Sequence, residues 1–163
     1  MAAPRRMTLT NLETGEPFEV QYNPTGVEVQ LEAMYSRVAS PGASFQEMQY
    51  SGTGNTKITF DLAYDGRAAD APAFDLVEGF MLSLLYPPEK PLGPKNGSPP
   101  RVLFTWPGWI SLVVKKPKFS ESVKRFSPDG PPTYVVWKVE LEESRVTRLG
   151  TEGVRRSVLR RAA

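Results

Sequence analysis

Cysteine and histidine are both absent from this chain of 163 residues. Without cysteine there are no disulfides, thiolate nucleophiles or cysteine-based zinc sites, and the redox compartment stays open. Without histidine the chain lacks the commonest general base and the commonest transition-metal ligand, which argues against most hydrolase chemistry. Long apolar runs are missing too. No segment approaches the roughly 18 apolar residues of a membrane-spanning helix, so no membrane span is expected. The opening MAAPRR also has no apolar targeting core.

Charge is nearly balanced, at +2 overall, but unevenly placed. Between Ser144 and Ala163 six arginines (Arg145, Arg148, Arg155, Arg156, Arg160 and Arg161) stand against Glu152, which gives +5. The preceding residues therefore carry −3, a mildly acidic body with a basic tail. The length suits one domain that buries about two thirds of its unfolded surface. We place that domain at residues 1–143 and the tail at 144–163.

What is present is β pattern. Phe18, Val20 and Tyr22 alternate with Glu19 and Gln21. Beyond Asn23-Pro24-Thr25-Gly26, Val27, Val29 and Leu31 alternate with Glu28 and Gln30. Period two with a polar back marks half-buried antiparallel strands. Pro24 fixes its own φ and biases Asn23 towards extended backbone, so the chain is re-aimed there. Upstream, Met7–Leu12 and Pro17–Tyr22 form a hairpin about Thr14-Gly15. Ser36–Asn55 has weak pattern and reads as an extended loop or β-arm, with a short strand over Phe45–Tyr50.

Lys57–Tyr64 is the clearest strand. Ala71–Tyr86 is the one good helix, with Phe74, Val77, Met81, Leu84 and Leu85 at spacings of three and four and Pro72 at its first position. Pro87–Pro100 holds six prolines and two glycines and reads as an extended surface connection. Val102–Trp106, Trp109–Lys116, Lys118–Phe126 and Thr133–Glu143 are strands, the last two joined by a turn at Ser127–Pro132. The expected fold is mainly β: a split antiparallel β-barrel or sandwich of seven to eight strands with one flanking α-helix.

Catalytic signals are weak. Asp61 with Asp65, or Glu140 with Glu142 and Glu143, sit on polar strand faces or ends, and nothing in the sequence aims a pair into a cleft. Ser51-Gly52-Thr53-Gly54-Asn55 lacks the lysine and helix of a phosphate loop. Asp61 and Asp65 lack the spacing of a calcium loop. No cofactor or metal is expected. Lys115, Lys116, Lys118 and Arg125, near Phe119 and Phe126, permit an alternative reading as a small barrel binding single-stranded nucleic acid. Against it, most aromatics fall on the apolar face of their strand and the body is net acidic, so core packing is preferred. In the tail, Val146, Leu149, Val154, Val158 and Leu159 fit either solvation or ordering on a partner.

Four segments in order carry a resemblance. They are Val20-Gln21-Tyr22-Asn23-Pro24-Thr25; Thr59-Phe60-Asp61-Leu62-Ala63-Tyr64-Asp65; Pro99-Pro100-Arg101-Val102-Leu103-Phe104-Thr105-Trp106 with Gly108; and Phe126-Ser127-Pro128-Asp129-Gly130-Pro131-Pro132. Over about Met7–Glu143 the chain resembles the tube-protein family of contractile injection systems, the phage-tail-like particles. The resemblance implies a non-enzymatic subunit of a homo-hexameric ring that joins spike and baseplate to the inner tube and initiates tube growth. It implies as partners the inner tube protein and the spike and baseplate proteins, and no nucleic acid. It also implies cytoplasmic assembly into a particle that is released or membrane-docked. Related members often end in a LysM-type module, where this chain has its basic tail. The interface residues expected are Asn23 and Pro24 of the turn, Phe45 and Tyr50 of the arm, and the six tail arginines, which would dock onto an adjacent baseplate or spike protein.

Overall fold

The computed structural model describes residues 5–39, 41–42, 44–87 and 97–144. Within them β1 (Thr8–Asn11), β2 (Pro17–Glu19), β3 (Val27–Gln30), β4 (Ala33–Val38), β5 (Glu47–Thr53) and β6 (Lys57–Asp65) precede a single helix, α1 (Phe74–Ser83). Strands β7 (Val102–Trp106), β8 (Ile110–Phe126) and β9 (Pro132–Glu143) follow it. Seven strands pair in the order β2-β1-β7-β8-β9-β6-β3. The pairing is antiparallel throughout. β4 and β5 make a separate two-stranded sheet. The architecture is therefore mainly β with one helix, and the open order fits a split barrel rather than a closed one.

Alternation makes the core. Ile58, Phe60, Leu62 and Tyr64 of β6 and Val135, Trp137, Val139 and Leu141 of β9 are buried, while the residues between them face out. The sheet is strongly curled: Phe60 of β6 and Phe104 of β7 have ring centroids 5.5 Å apart although β8 and β9 separate their strands. α1 lies across the open seam. Its Phe80 stacks on Phe18 of β2 at 4.9 Å, and Phe74 touches Tyr64 of β6 and Trp137 of β9 at 5.6 and 6.2 Å. Val77, Phe80, Met81 and Leu84 supply its buried face.

Several expectations need adjustment. The two strands expected on either side of Pro117 are one, β8, of 17 residues. Its register against β9 moves from Lys115↔Glu142 to Lys118↔Glu140, so β8 spends one extra residue there. A bulge of that kind accommodates a proline that has no N–H to donate. The helix starts at Phe74, capped by Ala73 without a side-chain hydrogen bond, so Pro72 precedes it rather than opening it. Of the Val27–Leu31 run, Val27–Gln30 forms a strand at the sheet edge; Val27 packs against the core, while Leu31 lies past the strand and is exposed. Residues 88–96 of the proline-rich connection lie outside the described residues.

Candidate functional site

The Asn-Pro turn is built by two side-chain amides. Gln21 presents its carbonyl oxygen to the Asp65 N–H at 2.9 Å and donates its amide to the Asp65 carbonyl at 3.0 Å. It thus pairs with the end of β6 as a strand residue would, and ties the β2 side of the seam to β6. Asn23 accepts from the Met7 N–H at 2.8 Å and donates to the Arg5 carbonyl at 3.0 Å, which fixes the entry to β1. Pro24 is buried. Both candidate residues of the turn are therefore engaged inside their own chain.

Asn11, which the sequence reading passed over, has a similar task. Buried itself, it accepts the N–H groups of Glu13 and Thr14 at 2.9 and 3.2 Å and shapes the β1–β2 turn. Gly15 completes that turn at φ 74°. The Asn-x-x-x-Gly spacing is a recognisable side-chain turn signal.

Beyond the body projects the arm. It begins at Ala33 rather than Ser36, and β5 runs on through Ser51-Gly52 because a register shift at Met34/Tyr35 absorbs the extra residue. Every residue of β4 is exposed. Tyr35 pairs with Tyr50 across the strands, rings edge to face at 5.8 Å, with 55% and 60% of their surfaces exposed. Arg37 and Met48 share that face by register. Phe45, in the loop joining the strands, is 75% exposed. The candidates Phe45 and Tyr50 are thus both exposed aromatics of the arm. Met34, Tyr35 and Met48 join them on the arm, and sequence reading missed these three. The alternation of Tyr35 and Arg37 opposite Met48 and Tyr50 was the available signal.

The outer face of β3, β6, β9 and β8 is polar and of mixed sign, with a groove of about 460 Å³ lined by Glu28, Lys57, Lys118, Lys138, Glu140 and Glu142, among others. Asp61 lies opposite Lys138, and Lys118 meets Glu140 at 3.4 Å. Lys115 is placed opposite Glu142, and Arg125 lies over the Tyr134 ring at 5.8 Å. The described cations of the alternative nucleic-acid stripe are thus interleaved with carboxylates or spent on an aromatic. The Lys116 side chain lies outside the described set. Beneath α1 the cleft bounded by Gln21, Tyr64 and Trp137 has room for about 10 Å³, one water at most. Burial, then the carboxylates of Asp65 and Asp75, push the Tyr64 hydroxyl pKa above its ordinary value, and that hydroxyl donates to the Pro72 carbonyl at 2.8 Å.

Residues 5–150 match the family model described as contractile injection system tube protein. The chain belongs to the contractile injection system tube protein family. No match was found among curated proteins. As a tube-protein family member the chain is a structural component of a phage-tail-like particle, assembled with other parts of that particle. The family match runs beyond β9 into residues 145–150. Among the described residues, no helix of this tube-family protein is long and apolar enough to cross a membrane. Arg145, Arg148, Arg155, Arg156, Arg160 and Arg161 lie outside the described residues.

Proposed function

We propose that this chain is a non-enzymatic ring subunit: six copies close into a ring that joins spike and baseplate to the inner tube and starts tube growth. The observation that carries this is the β4–β5 arm. A lone two-stranded hairpin is marginal in water. An arm that exposes Tyr35, Phe45, Met48 and Tyr50 gains stability when a neighbouring subunit covers it. The sheet order leaves β2 and β3 as edges within the chain, and such edges accept strands from other chains. An arm on one side and an edge on another are two different patches, as a ring closed by rotation requires. In that ring Asn23 and Pro24 hold the seam beside the β2 edge, while Phe45 and Tyr50 reach across to the neighbour. The particle assembles in the cytoplasm.

The test is assembly of the wild type and of a Tyr35→Asp/Tyr50→Asp variant, read by light scattering and electron microscopy. Six-fold rings are expected for the wild type, alone or with tube and spike proteins. The variant is expected to be monomeric with an unchanged far-ultraviolet spectrum. A wild type that stays monomeric with every neighbouring component present overturns the proposal, as does a variant that still closes rings.

A further inference from the structure

α1 has a second face that the fold does not use. Leu76, Leu82 and Tyr86 point away from the core, 71%, 45% and 65% exposed, on and just beyond the helix. Between them Gly79 has nothing within 4 Å of where a Cβ would stand. A mid-helix glycine lowers helix stability, and among the described residues nothing needs its small size. The bare turn leaves room for another backbone to come close. The flanking charges have one sign. From Ala68 to Pro87 the only ionisable acids and bases are Asp70, Asp75, Glu78 and Tyr86, with no lysine or arginine. Asp70 meets Arg6 at 3.8 Å. Among the described residues neither Asp75 nor Glu78 has an ion-pair partner.

An apolar, acidic surface fits an apolar, basic segment, and the chain carries one. Residues 145–163 intersperse Val146, Leu149, Val154, Val158 and Leu159 with six arginines. The segment departs from Ser144, whose N–H donates to the Val113 carbonyl at 2.9 Å. Phe74, the first residue of α1, stacks on Trp137, and β9 runs on from that contact for six residues to Glu143, about 20 Å of strand. The segment's 19 residues extend to about 65 Å at most, more than the width of a domain of this size, which puts a neighbouring copy within reach.

We propose that the C-terminal segment 145–163 of one copy docks on the Leu76–Gly79–Leu82–Tyr86 face of α1 in the adjacent copy, its arginines meeting Asp75 and Glu78. This rests on the ring reading for the presence of a neighbour.

A photo-crosslinking residue at Val158 of the full chain, in assemblies mixed from light and heavy-isotope copies, tests it by mass spectrometry. Cross-links from one isotope's tail to the other's residues 74–87 are expected. Reversing both acids (Asp75→Lys with Glu78→Lys) should lower their yield about tenfold. Adding Arg155→Glu with Arg156→Glu should restore it, and Gly79→Arg should abolish it with helicity retained. Cross-links confined to one copy, to the arm, to a baseplate or spike protein, or to nothing overturn the proposal. Ring counts from micrographs of the same samples separate the two ideas. Rings without α1 cross-links refute only the docking, whereas absence of rings removes the ring and the docking together.

Discussion

Replacing Asn23 with alanine separates a clasp within the chain from a contact between chains. The side chain satisfies the N–H of Met7, a residue with no solvent exposure, and holds the Arg5 carbonyl at the surface. Orphaning a buried donor costs about 1–3 kcal/mol, and the more exposed bond contributes about 0.5–1.5 kcal/mol. Asn23→Ala should therefore lose roughly 2–3 kcal/mol, a fall of about 5–10 °C in Tm for a chain of this size. Asn23→Asp keeps the acceptor for Met7 and gives up only the donor, so it should fall between wild type and alanine. Thermal and urea unfolding at one fixed protein concentration would read the series, because assembly otherwise shifts the midpoint. If alanine leaves the unfolding of the unassembled chain within about 0.5 kcal/mol of wild type, the size of an ordinary surface change, the clasp is refuted.

Other consequences follow from the same structure. Phe104, fully buried against Phe60, should cost about 3–5 kcal/mol as alanine, measured by the urea midpoint. Thr133 has a buried hydroxyl without a hydrogen-bond partner among the described residues, so Thr133→Val should be neutral or stabilising by about 1 kcal/mol in the same assay. Tyr64 ionises less readily folded than unfolded. Its contribution is complete below pH 10, the ordinary tyrosine value, and is lost as pH climbs from there through the higher folded pKa. An absorbance titration should show a late phenol ionisation that disappears in Tyr64→Phe.

Legibility in the sequence followed burial. Strands with one face on the core, β6 and β9, announced themselves by alternation. The helix did so by Val77, Met81 and Leu84, although its start was placed early because Pro72 resembled a first-turn proline. β8 was divided because Pro117 ordinarily ends a strand, and a bulge is a pairing property that a single strand does not display. β3 has a core pattern yet lies at an edge, since alternation reports which face is apolar and not what covers it. The arm was hardest to read. Its apolar residues have no intramolecular core to impose a long period, so the short alternations of Tyr35 with Arg37 and of Met48 with Tyr50 gain meaning only from their pairing across the arm. The turn motif was recognised as a landmark, but its work was not. Gln21 and Asn23 bond to residues 44 and 16 positions away, distances that no local pattern encodes.

The most direct test of the central claim is electron microscopy of the full chain purified with the inner tube and spike proteins of its particle. A six-fold ring between spike and tube is expected, with each β4–β5 arm lying on the next copy and Tyr35, Phe45 and Tyr50 covered. A single unclosed copy at that junction, or rings in which the arms stand free in solvent, would contradict it.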